Sequence, residues 1–388
     1  MEQTFPASTP SWSPPPHISV QDQQQKETPE ASLLSFIQNQ EETKRPEPPL
    51  PTPVQSQEGK QNPEIWRASS KPTASEDPST SPSAHMAPLE KGDLLMITAS
   101  AGTNKFLGIP NIKNMVYENR MTYANKWGYD FMWANISSYD FGEQVYWNKI
   151  PILQDALVRY PKAKWIWWMD IDIIIMNMEV DMYTHLLSPE AMAKQLVYDQ
   201  PINKPGGGPS GWRTAAEMDP KDVNFLIASG GWGMNVGNFL MRRSEWTDWT
   251  LDMWIDPHSI QKNWTFPEND GWTHLYRYHK IVRDHTGCTN QNALNAYPDY
   301  NGLGSHWKEG DLFVHFAGCG GNARCPERWN KYWKKKVPYN VPLWVNQQIE
   351  NGTAHIEDTH KGKPNPTSEL YRSISQKPEL KFESMGNS

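Results

Sequence analysis

The segment KWIWWMDIDIIIMN, residues 164–177, constrains the fold of this chain more than any other stretch. Its tryptophans and branched aliphatic residues are typical of a strand in the centre of a sheet, buried on both faces. Two acids, Asp170 and Asp172, interrupt the apolar run. A carboxylate that leaves water is destabilising unless it is neutralised, paired or bound to a cation. The segment therefore predicts a buried strand that carries a paired or cation-binding acidic site.

The composition separates a part of the chain that can form a core from a part that cannot. Residues 1–90 contain 16 of the 33 prolines but only two of the 19 tryptophans, Trp12 and Trp66. Low-complexity segments rich in Pro, Gln, Glu and Ser predict disorder over these residues. Residues 346–388 are again polar without an apolar period, which predicts a flexible tail. One folded domain of ordinary size is therefore expected over residues 91–345.

The charge balance argues against a nucleic-acid partner. The formal net charge is −7 and the pI is about 5.9, whereas nucleic-acid-binding domains are usually basic. A local basic cluster, KYWKKK at Lys331–Lys336, is interpreted as a solvated helix face. No apolar run reaches the length of a membrane span, and the chain has no signal-like beginning. The sequence thus predicts a soluble polypeptide with no visible transmembrane anchor.

Cysteines and glycosylation sequons bear on the cellular compartment. Cys319 and Cys325, in HFAGCGGNARC, are close enough in sequence to bridge across a short loop. They are too few for a structural zinc site without histidines at ligand spacing. A disulfide would favour a lumenal or external compartment. Sequons at Asn135, Asn263 and Asn351 favour the same location only weakly, because such triplets arise by chance.

Alternating strand and helix patterns predict an α/β domain. Residues 93–100 and 129–136 are each typical of a buried strand. Between them, residues 112–127 predict a helix that ends at Gly128. Its expected apolar stripe is Met115, Tyr117, Met121, Ala124 and Trp127. Residues 144–161 predict a second helix, which has Pro151 near its start. Its expected stripe is Ile152, Leu153, Ala156 and Leu157. This order implies parallel strands joined by right-handed crossovers.

The element order places the acidic pair at or just beyond the carboxyl end of the third strand. Open α/β sheets bind ligands outside that end. Side chains two residues apart on a strand project to the same side, so Asp170 and Asp172 would converge on one point. A hard divalent cation with oxygen ligands would suit that point. The alternative is an acidic pair that caps a helix or binds Arg or Lys, because D-x-D is frequent by chance. The following IIIMN would cap the pocket or continue into the sheet.

Five ordered stretches resemble glycosyltransferase family 34. This family contains yeast-type α-mannosyltransferases and α-galactosyltransferases and the plant xylosyltransferases. The resemblance spans Asp93–Trp344, and its stretches are LLMITAS, YWNKIPILQDALVRYPKAKWIWWMDID, ASGGWGMNVGNFLMRRSEWTDWTLDMW, TNQNALNAY and DLFVHFAGC. Their order and spacing are far more specific than D-x-D alone. The resemblance implies a GT-A fold with a Rossmann-like mixed sheet flanked by helices, a nucleotide-sugar donor, Mn²⁺ and retention of the anomeric configuration.

The resemblance also assigns roles to individual residues. Asp170 and Asp172 match the metal-binding pair, and His315 matches the histidine that completes the site. An imidazole ligand suits Mn²⁺ better than Mg²⁺. The catalytic candidates are Gln291, beside the reacting centre, and Asn235, in the loop that lines the sugar. Both are uncharged, so neither can act as a strong base. The residues expected to bind the donor are Thr98, Lys149, Gly237, Gly318 and Arg324.

Three departures from the family pattern qualify the assignment. Asn290 stands where relatives usually carry an acid. GGNARC follows where plant members place a lysine for the diphosphate, and Arg324 is the candidate substitute. Fungal members are Golgi type II proteins with an N-terminal span, whereas residues 1–90 offer none. The resemblance therefore implies a location in the Golgi lumen, although no membrane span is visible in residues 1–90.

The sequence thus predicts a metal-dependent retaining hexosyltransferase. Its donor would be GDP-mannose, which we favour, or UDP-galactose, and its acceptor a mannan or N-glycan chain. Other glycosyltransferase subunits are possible complex partners. One alternative is a catalytically silent carbohydrate-binding subunit of a glycan polymerase complex, favoured by Asn290 and the altered loop after Cys319. Another is a divalent-metal phosphohydrolase, which would require additional carboxylates to hold two ions. Asp170, Asp172 and His315 together favour the transferase.

Overall fold

The computed structural model describes residues 88–100, 105–106, 108–139, 145–262, 264–299, 304–319 and 323–354. The N-terminal region predicted to be disordered, most of the predicted tail and the sequon asparagine at 263 lie outside these ranges. Within them, no helix is both long and apolar enough to cross a bilayer.

Strands and helices alternate through the first half of the described chain. The strands are β1 (Leu94–Ser100), β2 (Lys105–Phe106), β3 (Ile109–Pro110), β4 (Asp130–Asn135), β5 (Trp165–Met169), β6 (Ile173–Ile175), β7 (Pro201–Asn203), β8 (Pro209–Arg213), β9 (Phe225–Gly230), β10 (Gly233–Arg242), β11 (Thr286–Thr289) and β12 (Phe313–His315). The α-helices are α1 (Ile112–Trp127), α2 (Lys149–Arg159), α3 (Pro189–Gln195), α4 (Glu245–Trp254), α5 (Pro257–Gln261), α6 (Pro267–Tyr278), α7 (Lys280–Arg283), α8 (Gln291–Leu294), α9 (Cys325–Lys335) and α10 (Leu343–Glu350).

Six strands form a central mixed sheet in the order β11-β9-β10-β5-β1-β4. β1 pairs in parallel with β4 and β5, and β11 pairs in parallel with β9. β10 lies antiparallel to both β5 and β9. The parallel pairing of β1, β4 and β5 follows from the strand–helix–strand–helix–strand order in the sequence. Each crossover helix returns the chain to the end of the sheet where the previous strand began, so the next strand runs in the same direction. This mixed sheet confirms the predicted α/β fold class.

Both faces of the sheet are covered, as the apolar character of β5 requires. Trp168 belongs to the core on the face covered by α2, and Trp165 and Trp167 belong to the opposite core, which includes residues of α1. All three tryptophans are buried, as predicted. The expected stripe of α2 is also confirmed, since Ile152, Leu153, Ala156 and Leu157 all pack into the first core.

Helix α1 ends where predicted, and its inward face contains more residues than the expected stripe. Gly128 adopts φ 71° and its N–H donates to the carbonyl of Ala124, a left-handed helix end that glycine tolerates without strain. Tyr117 and Ala124 are buried as expected, whereas Met115, Met121 and Trp127 are only partly buried. The positions turned inward include Asn119 and Arg120, which are fully buried. The three partly buried residues still pack against the cores, so the predicted positions face inward. The inward face also includes the two polar side chains, which bond to the backbone after β5.

The acidic pair lies in a turn just beyond the carboxyl end of β5, as predicted, but the segment over residues 164–177 is not one continuous strand. β5 ends at Met169, β6 begins at Ile173, and the Ile173 N–H donates to the Asp170 carbonyl at 3.3 Å. β6 then leaves the central sheet and pairs antiparallel with β12, with His315 opposite Ile173. The expectation that IIIMN continues into the sheet is therefore wrong in detail. The carboxylates converge because the chain turns, and pairing with β12 brings His315 beside them.

The C-terminal helices α9 and α10 share a hydrophobic core with β12. Cys319 and Cys325 form a disulfide that links the end of the β12 loop to α9. Helix α10 continues past residue 345, and Val345 and Ala354 are buried. The KYWKKK cluster is more than a solvated face, since Lys336 lies 4.6 Å from the ring centroid of Trp333 and 4.3 Å from that of Tyr339. Its ammonium groups cover aromatic rings, a stabilising contact for a cation.

Cys288 is expected to be chemically inert in the folded protein. It lies buried in β11, and burial raises the pKa of its thiol to about 12, whereas the thiolate is the reactive species. We expect a thiol reagent such as DTNB to label the native chain at least about 10³-fold more slowly than the chain in guanidinium, since labelling requires opening of the core. Rapid labelling of the native protein, absent in Cys288→Ser, would contradict this placement.

Candidate metal centre and active site

Three side chains converge at the carboxyl end of β5. Asp170, Asp172 and His315 each offer one ligand atom, and these atoms all lie within 4.8 Å of one another. The two aspartate side chains are 33% and 14% exposed, while His315 is only 3% exposed. Two carboxylate oxygens and an imidazole nitrogen form a donor set that suits a divalent ion such as Mn²⁺. These residues fit a divalent cation and would hold it.

The backbone of β10 packs directly on these ligands at Gly237. A Cβ atom added there would lie 2.4 Å from Cε1 of His315 and 2.9 Å from Oδ2 of Asp170. It would also lie 2.9 Å from Oδ1 of Asn235. Such distances are far below van der Waals contact, so only glycine fits. The structure therefore places Gly237 against the candidate metal centre as a close-packing position.

The Asp170 carboxylate is oriented by two donors on one side. The indole Nε1 of Trp168 donates to Oδ1 at 2.6 Å, and the Lys149 ammonium lies 3.4 Å from the same oxygen. The backbone N–H of Asp170 donates to the Gly237 carbonyl at 2.8 Å. Fixing Oδ1 in this way leaves Oδ2 on the side of Gly237 and the other ligands.

Lys149 lies behind the candidate metal ligands and is only 4% exposed. Its Nζ donates to the Val236 carbonyl at 2.7 Å and lies 3.5 Å from Oε1 of Glu268. Burial raises the pKa of Glu268, and the Lys149 ammonium opposes that shift. In this position Lys149 is a counter-ion for Asp170. Its predicted contact with a donor stays a prediction.

Glu268 and its neighbour Asn269 also belong to this site, although no sequence pattern indicated them. The Asn269 amide oxygen accepts from the Val236 N–H at 2.9 Å, so the start of α6 holds the loop before Gly237. Acidic residues are frequent in the first turn of a helix, and nothing in the local pattern distinguishes Glu268 from an ordinary helix start. Only the chain fold brings it to Lys149.

His315 is oriented by Asn295, a residue that no sequence pattern indicated. Nδ1 of His315 bonds to the amide oxygen of Asn295, so Nδ1 is the donor and Nε2 is the nitrogen that faces the aspartates. Nε2 lies 3.4 Å from Oδ1 of Asp172. The Asn295 amide nitrogen in turn donates to the hydroxyl of Tyr297 at 3.3 Å. Burial raises the pKa of Tyr297 to about 12, which keeps this hydroxyl protonated.

Asn295→Ala is expected to weaken cation binding by about 10- to 100-fold, the usual effect of removing the partner of a metal-ligating histidine. The buried imidazole would lose the bond that fixes its tautomer and ring orientation. Isothermal titration of the full-length protein with Mn²⁺ measures the change. Unaltered Mn²⁺ affinity in a folded Asn295→Ala protein would show that His315 does not need this partner or is not a ligand.

The two catalytic candidates both have their amide groups engaged by the protein. Asn235 accepts from the Gly237 N–H at 2.8 Å and donates to Tyr297 at 3.3 Å. Gln291 is 8% exposed, donates to the Asn295 carbonyl at 3.1 Å and accepts from the Ser305 N–H at 2.8 Å. Both therefore support the residues around His315, and their direct catalytic roles stay predictions.

Three predicted donor-binding residues lie outside the Asp170–Asp172–His315 group. Thr98 is fully buried near the end of β1, and its hydroxyl has no hydrogen-bond partner among the described residues. Gly318 adopts φ 69° in the turn before Cys319, a conformation that glycine favours. Arg324 is exposed at the start of α9. Their roles in donor binding stay predictions.

The fold and the site define a class, an α/β domain with a candidate divalent-cation site at the carboxyl end of a central strand. Residues 90–326 match the sequence profile of the galactosyl transferase GMA12/MNN10 family. The chain belongs to this family, which confirms the family predicted from its sequence.

Several named proteins are similar to this chain. An alpha-1,2-galactosyltransferase of Schizosaccharomyces pombe is 34% identical over 250 residues, which cover 63% of this chain and 66% of that protein. The probable alpha-1,6-mannosyltransferase MNN10 of Saccharomyces cerevisiae is 29% identical over 233 residues, which cover 55% and 57% of the two chains. The chain thus spans two thirds or less of the length of these relatives.

A solved structure is also similar. It is a glycosyltransferase involved in the glycosylation of the major capsid of PBCV-1, with 12% identity and a TM-score of 0.41. The similarity covers 62% of this chain and 98% of that one.

Proposed function

We propose that this chain is a metal-dependent glycosyltransferase that moves a hexose from a nucleotide-sugar donor to an oligosaccharide acceptor with retention of configuration. The observation that carries the proposal is the convergence of Asp170, Asp172 and His315 at the carboxyl end of β5, in a chain that belongs to a glycosyltransferase family. The names of the similar proteins, which denote galactosyl or mannosyl transfer, support it.

A divalent cation bound by these three residues would supply positive charge to the diphosphate that leaves with the nucleotide. The surrounding residues prepare that site. Trp168 and Lys149 hold one oxygen of Asp170, and Asn295 keeps Nε2 of His315 facing the aspartates. Asp170 and His315 are thus oriented in advance, which spares the reaction the free energy of reorganising these two ligands.

The groups around the site favour direct retention without a covalent sugar–enzyme intermediate. Neither Asn235 nor Gln291 can accept a proton near neutral pH. Glu268 is a carboxyl group close to Asp170, but it is 6% exposed and engaged with Lys149 and Asn269, so it is poorly placed as a nucleophile. We propose that the departing phosphate takes the proton of the acceptor hydroxyl on the same face of the sugar.

The donor, the metal and the location are the finer parts of the proposal. We propose Mn²⁺, because an imidazole in the ligand set suits it better than Mg²⁺. UDP-galactose is the first donor to test, because several of the similar proteins are named alpha-1,2-galactosyltransferases. GDP-mannose, favoured by the sequence analysis, is the second. The Cys319–Cys325 disulfide supports an oxidising compartment such as the Golgi lumen, and a mannan or N-glycan chain is the proposed acceptor.

Release of nucleoside diphosphate from a panel of UDP- and GDP-sugars tests this proposal. The full-length protein is assayed with Mn²⁺ or EDTA, with and without an α-mannoside acceptor, and the product is digested with anomer-specific glycosidases. We expect one donor to be used, with activity lost in EDTA and an α-linked product. If the protein binds a glycan but neither turns over nor binds any donor, the transferase proposal is refuted and the silent carbohydrate-binding subunit is favoured.

A further inference from the structure

Arg120 is a fully buried cation beneath the turn that carries Asp170 and Asp172. Its NH2 group donates to the Ile173 carbonyl at 2.8 Å and lies 3.4 Å from the Asp170 carbonyl. One guanidinium thus contacts backbone oxygens at both ends of the acidic turn. It touches neither carboxylate directly in these contacts, so it acts on the turn through its backbone.

Asn119, the residue before it on α1, holds the strand that follows the turn. Its amide nitrogen donates to the Ile175 carbonyl at 3.0 Å, and its amide oxygen accepts from the Ile175 N–H at 3.0 Å. The same oxygen accepts from NH1 of Arg120 at 2.6 Å. Asn119 therefore bonds to β6 as a neighbouring strand would, while β12 and His315 pair with β6 as well.

A charge at this depth is destabilising unless something compensates it. Burial lowers the pKa of Arg120 to about 9, and the nearby Asp172 carboxylate opposes the shift. Nε of Arg120 has no hydrogen-bond partner among the described residues. A neutral apolar side chain would fill this position at lower cost in free energy, so the arrangement points to a role other than packing.

Two cations therefore flank the acidic turn from different elements. Lys149 on α2 lies 3.4 Å from Oδ1 of Asp170, and Arg120 on α1 binds the turn from below. Two carboxylates held close together repel each other when no cation is bound. Fixed positive charges reduce that repulsion, and bonds to the backbone prevent the turn from opening.

We infer that Arg120, with Asn119, is a positioning residue that holds the turn at 170–173 so that both carboxylates face His315 before a divalent cation binds. The inference rests on one part of the proposed function, namely that this site binds a divalent cation. A lysine at 120 would keep the charge but has only one nitrogen, so it cannot bond to the turn carbonyls with one nitrogen and to Asn119 with another, as the guanidinium does. We expect Arg120→Lys to lower Mn²⁺ affinity by about 10- to 100-fold, the range for residues that support metal ligands.

Arg242 offers a matched control in the same sheet. It is buried, it donates to the carbonyls of Lys221 and Pro220, and burial lowers its pKa to about 10. It lies opposite Trp165, at the other end of β5 from the acidic turn. Arg242→Lys therefore removes a similar buried fork without touching the turn.

The experiment is a Mn²⁺ titration of the full-length wild type, Arg120→Lys and Arg242→Lys proteins. Free Mn²⁺ is measured by electron paramagnetic resonance, and the melting temperature of each protein is measured in parallel. Both variants are expected to melt earlier, and only Arg120→Lys should bind Mn²⁺ more weakly. Equal Mn²⁺ affinity in all three folded proteins would overturn the inference and leave the proposed function intact. Absence of Mn²⁺ binding by both wild type and Arg242→Lys would overturn both.

Asn119→Ser provides a second test if Arg120→Lys does not fold. It removes the amide that bonds to Ile175 and to NH1 of Arg120, but keeps Arg120 and its contacts with the turn carbonyls. Its Mn²⁺ affinity should fall in the same direction by a smaller factor. A folded Asn119→Ser protein with wild-type Mn²⁺ affinity would count against the role of this pair.

Discussion

Asp172→Asn is expected to reduce hexose transfer by about 10³-fold or more. The substitution keeps the shape of the side chain but removes the negative charge that faces Nε2 of His315 at 3.4 Å. A bound cation supplies several kcal/mol of stabilisation to a charged transition state, and about 1.4 kcal/mol corresponds to a tenfold change in rate. Initial rates with saturating donor and Mn²⁺ measure the loss.

The matched control for this change is Asp284→Asn. Asp284 is 44% exposed and pairs with Lys280 on α7, away from the acidic turn. The Asp284→Asn protein should retain wild-type transfer and Mn²⁺ affinity, because it loses only an exposed ion pair, which contributes little to stability. If Asp172→Asn also transferred hexose at the wild-type rate while Mn²⁺ was present, the assignment of the acidic turn as the metal centre would be wrong.

Gly237→Ala is expected to lower both Mn²⁺ affinity and transfer by about 10²-fold. The added methyl group would lie 2.4 Å from the His315 ring, which is itself held by Asn295. Since neither the ring nor the β10 backbone can yield easily, the imidazole must tilt away from the carboxylates. Losses of this size are typical when support for a metal ligand is disturbed. The measurement is the Mn²⁺ dissociation constant together with the transfer rate.

Gly287→Ala separates this effect from a general packing clash. A Cβ at Gly287 in β11 would lie 2.6 Å from Cδ2 of Leu196, so the control also forces a methyl group into a buried contact. We expect it to lower the melting temperature while the folded protein binds Mn²⁺ normally. Equal Mn²⁺ affinities in the two glycine variants would mean that Gly237 only packs and does not shape the centre.

The sequence indicated a metal site where charged residues interrupt an apolar segment. Two aspartates in an apolar run are conspicuous, and their position after two crossovers predicted the correct sheet edge. The prediction was wrong about the local geometry, because residues 165–169 and 173–175 have the same strand-like composition. The break between them depends on β12, which lies about 140 residues later in the chain and pairs only with the second piece.

The supporting residues could not be predicted in the same way. Asn119 and Arg120 interrupt a helix pattern, and polar residues on a helix usually face solvent. Glu268 resembles an ordinary helix start, and Asn295 lies in a loop-like stretch without a distinctive spacing. Their roles depend on contacts with backbone groups of distant strands, which leave no local signal.

The sequence by itself determined the α/β class and indicated Asp170 and Asp172, because apolar periodicity and unusual residue types are local properties. The family and the candidate ligand His315 came from the resemblance of ordered stretches to a known family. Tertiary structure alone decided that the acidic pair lies in a turn, that His315 reaches it through β12, and that buried amides and cations hold the ligands in place. The physical reason is that hydrogen bonds and ion pairs between distant segments form only when the packed sheet brings their partners within reach.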